Sequence, residues 1–468
     1  MNVVDLRKIK NSIFNYKELD LDIKNDLDLQ IYNNFRNKEV EFINQLKGSF
    51  AFLYDDNVNN VIFAVRDWIG EVPLHYIVKE ESIYFANFIE DLRDNVPGYK
   101  YDDVVALNRS ELLVIDKKKG IIEKKLYYNF NQEDISAEHQ NIEKIALDIH
   151  DRLLESTKLR FDYFNKKEQA VLLSGGIDSM SVAYFVSLFD KNIPAYTLQI
   201  GDNESTDVIR ARMIAKHFGL EHRIIKVPKD RVLACIDRSI ESSEIFHLYN
   251  VFCAIGMDLM AETLKNDGIL YVHTGEGGNE CFGDYYDWII YDEKTNRKKI
   301  LQTTSEDFKT PLGREAYVWG NLVAEKKGRY NAQLGSGLGK HGGSRMYKPM
   351  YKKGITLLSP YFDKKIMKIL TNISVDTLKN IGGKPGFMSL AFKKETEEGK
   401  IPKEFFDVKK IRLQDASEDG AGDGLTETLL RSGYDQKKII ELFNNIFQAD
   451  VKERQHLKET ILVKEDNL

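Results

Sequence analysis

Two short segments of this chain carry residue types whose spacing suits phosphate chemistry. Ser174-Gly175-Gly176-Ile177-Asp178-Ser179 follows the apolar run Ala170-Val171-Leu172-Leu173, which reads as a buried strand, and precedes Met180 to Val186, which reads as a helix. A serine- and glycine-rich turn between strand and helix lets backbone N–H groups approach an oxyanion, and the helix dipole favours negative charge there. Asp178 would repel a bare phosphate, but it suits the turn if a magnesium ion lies between it and a polyphosphate. Ser174, Gly175, Gly176, Asp178 and Ser179 therefore read as an ATP·Mg2+ site at the carboxyl end of a strand. A second loop, Thr274-Gly275-Glu276-Gly277-Gly278-Asn279-Glu280, follows the apolar run Ile269 to His273. By contrast, Gly335-Ser336-Gly337-Leu338-Gly339-Lys340 is one residue short of a kinase-type phosphate loop and reads as a plain glycine-rich loop.

The elements that must hold these loops change character along the chain. Residues 1–130 read as a strand-rich domain: a hairpin of 48–55 and 61–67, strands at 74–78 and 82–86, a helix near 88–92, and a last hairpin of 112–115 and 120–122. The polar, aperiodic stretch 129–139 marks a boundary. From Ile142 strands alternate with helices, which predicts a parallel sheet: strands at 170–173, 195–200, 222–227 and 269–273, a helix over 206–218, and helices from about Lys229 and Val251. The stretch after Trp288 reads as mainly helical with loops. The fold class is α/β, with a β-rich domain over 1–130 and a nucleotide-binding domain over 140–468. In such sheets ligands bind at the carboxyl ends of strands, so the two loops face one pocket although they are far apart in sequence.

Composition narrows the classes. The chain has 468 residues, 42% of them hydrophobic, enough for two or three domains with real cores. A net charge of −6 and a pI near 6.0 argue against nucleic acid as a partner. No apolar run is long enough to span a membrane. The three cysteines, Cys235, Cys253 and Cys281, lack metal or redox spacing and read as reduced thiols, which suits a cytoplasmic protein.

The turn itself resembles the PP-loop of ATP pyrophosphatases, which split ATP into AMP and pyrophosphate. Several segments in order resemble the asparagine synthetase family: Gly48 to Phe52, Arg66-Asp67, Pro73 to Tyr76, the 174–179 turn, Glu204 to Asp207, Gly275 to Gly283, Ser359 to Asp363, and Lys409 to Asp415. The resemblance implies a glutaminase-like N-terminal domain and an amide-forming synthetase domain. It implies adenine beside Leu172 and Leu198, Gly275 beside the nucleotide, and Mg2+ held by Asp178 and position 279. It also implies Glu276 as proton acceptor from the attacking amine, and Lys410 (or Lys409) as the cation stabilising charge on the α-phosphate or oxyanion. Three departures shape the expectation. Glutaminase-active members begin Met-Cys, whereas this chain begins Met1-Asn2 and has no cysteine before Cys235. Its Gly48 segment also comes earlier than in the family. The N-terminal domain is therefore expected to be degenerate, with the nitrogen coming from ammonia, an amine or a partner rather than from glutamine. Asn279 stands where the family has a metal-binding aspartate, and offers a weaker oxygen. Glu276 is the residue of asparagine synthetases where β-lactam synthetases have tyrosine.

The expectation is an ATP-dependent ligase of specialised metabolism that adenylates a small-molecule or peptide carboxylate and passes it to an amine or ammonia, as a homodimer or with a partner protein. An intramolecular cyclase of β-lactam or lasso-peptide type and a catalytically weak binding or scaffold protein remain open. The long stretch 287–357 and the loop 415–422 are expected to cover the site.

Overall fold

The computed structural model describes residues 1–128, 141–246, 248–282, 289–292, 297–300, 345–371, 373, 377, 380–407 and 425–451. The expected boundary at 129–139 lies outside them.

The N-terminal domain pairs two four-stranded sheets. Its elements are β1 (Asn2–Asp5), β2 (Ser12–Ile13), α1 (Leu27–Gln45), β3 (Gly48–Ser49), β4 (Ala51–Asp56), β5 (Val61–Arg66), β6 (His75–Lys79), β7 (Ser82–Ala86), α2 (Ile89–Asn95), β8 (Val105–Ala106), β9 (Glu111–Asp116) and β10 (Ile121–Leu126). The sheet orders are β1-β7-β6-β8 and β10-β9-β5-β4. Both expected hairpins form, β4 against β5 and β9 against β10. The strand-rich reading overlooked α1. Asp26 caps that helix by accepting from Leu29 N at 3.0 Å, and Ile31, Tyr32, Phe42 and Ile43 form its buried face.

After β5 the chain makes a tight turn around two opposite charges. The Asp67 carboxylate accepts N–H groups of Phe50, Ile69, Gly70, Glu71 and Val72 at 2.6–3.2 Å. The Arg66 guanidinium donates to the carbonyls of Val72, Leu107 and Gly70 at 2.7–2.8 Å. Both groups are buried, and donors and acceptors in this number are what make their burial tolerable. The next residue outward, Glu71, is buried too and accepts from Ser49 Oγ at 2.9 Å. Burial first and the neighbouring Asp67 second push its carboxyl up to about 8, against the pull of Arg160. A folded-state value above the unfolded one means that this group favours folding most below pH 4.5, and that the contribution fades as pH rises through 8. Glu71→Gln is expected to flatten the alkaline decline, so that thermal unfolding at pH 9 rises by about 1–3 °C relative to wild type while that at pH 6 stays level. An unchanged difference between the two pH values would count against this assignment.

The second domain is built on α3 (Ile142–Tyr163), β11 (Gln169–Leu172), α4 (Ile177–Phe189), β12 (Ala195–Ile200), α5 (Thr206–Phe218), β13 (His222–Val227), α6 (Lys229–Leu233), α7 (Ile236–Ser243), α8 (Leu248–Asn266), β14 (Tyr271–His273) and α9 (Gly278–Phe282). A short hairpin follows, β15 (Ile289–Asp292) with β16 (Arg297–Ile300), and then α10 (Lys348–Lys352), β17 (Thr356–Leu358), α11 (Lys364–Thr371) and α12 (Gly383–Ala391). The described residues after Trp288 are mainly helical, as read, and this hairpin and β17 are the strands among them. Ile289, Ile290 and Tyr291 are β-formers, and the polar Lys294-Thr295-Asn296 lies between the strands.

The sheet is parallel throughout, in the order β13-β12-β11-β14-β17. Its central strands are apolar because helices cover both faces. The chain winds outward from β11 to β13, then crosses back to lay β14 and β17 on the other side. The switch point therefore falls between β11 and β14, where Val171 is in register with His273. Both loops that carry the candidate chemistry leave the sheet there.

Candidate active site

Gly175, with φ +78°, turns the chain out of β11, and Gly176 is the N-cap of α4 without a side-chain cap. The first amides of α4 therefore meet no capping side chain. The turn is held from within. Ser179 Oγ donates to Gly176 O at 3.0 Å, accepts from Ser174 N at 3.2 Å, and lies 3.1 Å from Ser174 Oγ. It is also held from outside by Arg210 of α5, whose Nε donates to Gly175 O at 3.1 Å.

The second loop closes directly on the first. A Cβ on Gly275 would lie 2.6 Å from the Asp178 backbone carbon and from Ser179 N, and one on Gly278 would lie 2.5 Å from Asp178 Cγ and overlap its Oδ1. Glycine at both positions is thus a condition of the two loops meeting at Asp178. Between them stands Glu276, whose N–H donates to Thr274 Oγ1 at 3.3 Å and whose carbonyl accepts from Ser359 Oγ. Behind it, burial first, then Glu71 and Glu276, push the Tyr347 phenol well up. Tyr361, from the 359–363 segment, places its hydroxyl 3.0 Å from Ser181 Oγ on α4. The sequence-matched segments 174–179, 275–279 and 359–363 are therefore one constellation.

Lys384 is the member that sequence reasoning missed. Its ammonium donates to Asp178 Oδ2 and, at 2.8 Å, to Asn279 Oδ1. Its side chain is only 5% exposed. Gly382 and Gly383, at φ +85° and +70°, turn the chain so that α12 begins against the two loops. Asp178 and Asn279 do meet, as the resemblance implies, but around an ammonium. These two oxygens do not suit a resident Mg2+. A hard dication wants several oxygens and a negative field, whereas Lys384 already occupies the position between them and cancels the one formal charge. The remaining carboxylate oxygen, Oδ1, is covered by Gly278 and has no hydrogen-bond partner among the described residues. No cluster of three or more acidic, histidine or cysteine side chains with metal-binding geometry occurs among the described residues.

Leu172 and Leu198 lie on neighbouring strands. Leu172 is in register with Tyr196, two residues before Leu198, so the two leucines share a sheet face. Thr197 Oγ1 donates to Leu173 O at 2.5 Å, fastening the strand ends together. Lys410 and Lys409, the 415–422 loop and most of 287–357 lie outside the described residues. The last described residue before Lys410 is Asp407, and its carbonyl accepts from Arg210 Nη1 at 3.4 Å. Arg210 thus ties the start of that segment to the 174–179 turn. All three cysteines are buried.

A parallel sheet whose switch-point loops meet at the Asp178–Lys384 pair, with a two-sheet N-terminal domain, is the architecture set against known proteins. A family model for asparagine synthase matches residues 148–377, and one for a glutamine amidotransferase domain matches residues 8–94. Together the two matches support an asparagine synthetase-like family with a glutamine amidotransferase N-terminal domain. The glutamine-hydrolysing asparagine synthetase of Bos taurus is 26% identical over 299 residues, covering 60% of this chain and 52% of that protein. That of Cricetulus griseus is 25% identical over 340 residues, 67% of this chain and 59% of the other. The chain thus spans a little over half the length of these curated relatives. Among solved structures, an NMN synthetase from Francisella tularensis overlaps with a TM-score of 0.27 at 13% identity, covering 70% of this chain and all of the other. Among the described residues no helix is long and apolar enough to cross a membrane.

Proposed function

We propose that this chain is an ATP-dependent amide ligase, yielding AMP and pyrophosphate, that takes its nitrogen from ammonia or an amine rather than from glutamine. The observation that carries this reading is the meeting of the 174–179 and 275–279 loops at Asp178, at the sheet's switch point. An amide does not form from a carboxylate at neutral pH without activation. In the proposed sequence a substrate carboxylate oxygen attacks the α-phosphorus of ATP. The α–β P–O bond breaks, and its electron pair leaves with pyrophosphate. The uncapped amides of α4 receive phosphate oxygens, and the turn is kept rigid by Ser179 and Arg210. The amine nitrogen then attacks the acyl carbon, the bond to AMP breaks, and the nitrogen's proton passes to the Glu276 carboxylate. Lys410 stabilises the charge that builds on the α-phosphate or the tetrahedral oxygen. Lys410 is the third residue after Asp407, a span of about 10 Å of chain at full extension. Release of nitrogen from glutamine requires a nucleophile, and the only cysteines are the three buried in the synthetase domain.

The test is pyrophosphate release with ATP, Mg2+ and pools of carboxylates and amines. Lys410→Ala is expected to lower release about 100-fold or more while leaving the melting temperature unchanged, as for loss of one oxyanion donor. If no pool supports release and ATP produces no thermal shift, the ligase reading fails. The binding-protein alternative gains support if ATP shifts the melting temperature without any release.

A further inference from the structure

We propose that Lys384 takes the place of a protein-held metal ion: its ammonium, fixed between Asp178 and Asn279, is the cation that meets the departing pyrophosphate, and the free chain holds no divalent cation there. The proposal rests on the ligase reading above and specifies how that site handles the polyphosphate.

The first argument is placement. Lys384 bridges the two loops that meet at the switch point, with one hydrogen bond to each. Its partner Asp178 lies in the first turn of α4, at the open N-terminus where a polyphosphate would arrive. The second is burial. An ammonium only 5% exposed is held there by its partners, because an unpaired charge in such a position is strongly disfavoured. The third is charge. Asp178 contributes −1, Lys384 +1 and Asn279 nothing, so this trio of side chains sums to zero. With aspartate at position 279 it would carry −1 and could hold both the lysine and a dication. Asparagine keeps the oxygen that orients Lys384 and removes the charge that would recruit a metal. The fourth is fixity. Lys384 is in the first turn of a helix whose start is pinned by Gly382 and Gly383, and a Cβ on nearby Gly386 would collide with the Ile381 backbone. It is therefore a preorganised charge rather than a swinging one. When the α–β bond breaks, no proton need move. The ammonium shifts its hydrogen bonds toward the leaving oxygens, and Asp178 retains it afterwards. Any magnesium accompanying the nucleotide would then be held by the nucleotide and not by a ligand set of this chain.

Two measurements on the intact chain test this, neither of them turnover. In the first, Mn2+ alone is titrated and followed by electron paramagnetic resonance. Wild type is expected to show no binding that Asp178→Asn removes, whereas the double variant Asn279→Asp, Lys384→Gln gains binding that does depend on Asp178. In the second, inorganic pyrophosphate is titrated calorimetrically in the presence of a chelator. Wild type is expected to bind it without metal, and Lys384→Gln to lose about tenfold or more, with partial recovery in Lys384→Arg, as for loss of one charge-assisted hydrogen bond. Asp178-dependent Mn2+ binding by wild type overturns the proposal, as does pyrophosphate binding that requires Mg2+ or is indifferent to Lys384. Failure of wild type to bind pyrophosphate with or without Mg2+ overturns the ligase reading and this proposal together. Mg2+-dependent binding overturns this proposal alone.

Discussion

Alanine at Glu244 is expected to lower the stability of the whole chain by about 3–5 kcal/mol, the cost of stranding a buried charge. Glu244 closes α7 with φ +58° and is 1% exposed. One carboxylate oxygen accepts Ile89 N–H at 2.5 Å, and the other pairs with the buried Lys348 ammonium. His75 Nε2 lies 3.8 Å away. This one side chain therefore joins β6 and α2 of the first domain to α7 and α10 of the second. Its removal leaves the Lys348 ammonium and the first amide of α2 without their acceptor, and Phe88, the N-cap of α2, supplies no side-chain substitute. Chemical denaturation of Glu244→Ala measures the loss. Adding Lys348→Met should restore most of it, because removing both members of a buried pair costs far less than removing one. A single-variant loss below about 1 kcal/mol would show that the pair is solvated and does not clamp the domains. The effect should reach the site, since α10 leads into β17 and the Ser359–Phe362 segment behind Glu276.

The parts of the fold legible in the sequence are those where one local pattern decides the structure. Helix α5 falls at the expected 206–218 because Ser205 caps it, accepting from Val208 N at 3.3 Å, and Gly219 ends it at φ +71°. The strands β12 and β13 are likewise bounded as read. The two glycine-rich loops could be placed at strand ends, and the sheet order then brings them together. Helix α1 was not legible because its apolar positions are interrupted by Asn33, Asn34, Asn44 and many charges, so that only packing against the sheet reveals its face. Lys384 was hidden for two reasons. It follows Gly382-Gly383 and precedes Pro385-Gly386, a run that reads as a loop although α12 begins there. It also lies 206 residues from Asp178, and no spacing rule links the two. Glu244, one of two glutamates flanking Ser242-Ser243 at the end of α7, gave no signal either. A buried ion pair between distant elements leaves no periodic trace, whereas strands, caps and turns do.

Replacing Gly278 by alanine is expected to abolish pyrophosphate release, a loss of about 100-fold or more, because displacements near 1 Å at a reacting centre cost that much. The added methyl would overlap Asp178 Oδ1 and lie 2.5 Å from Cγ. Asp178 is short and attached to a pinned turn, so it yields by rotating its carboxylate away from Lys384. The fold survives, at a cost of about 1–3 kcal/mol for overpacking. Gly275→Ala should be equally inactive but less stable, since its methyl would meet the Asp178 carbonyl carbon and Ser179 N at 2.6 Å, and backbone cannot rotate aside. Gly268→Ala separates strain from site geometry. That residue has a left-handed conformation, at φ +75°, which 275 and 278 lack, and nothing lies within 4 Å of the added methyl. It should lose about 1 kcal/mol of stability and keep full activity. The ordering to be measured, by thermal unfolding and pyrophosphate release on the same preparations, is thus loss of activity at 275 and 278 but not at 268, with the deepest loss of stability at 275. If Gly278→Ala remains active, Asp178 is free to move without consequence, and the contact between the two loops is not where the chemistry is held.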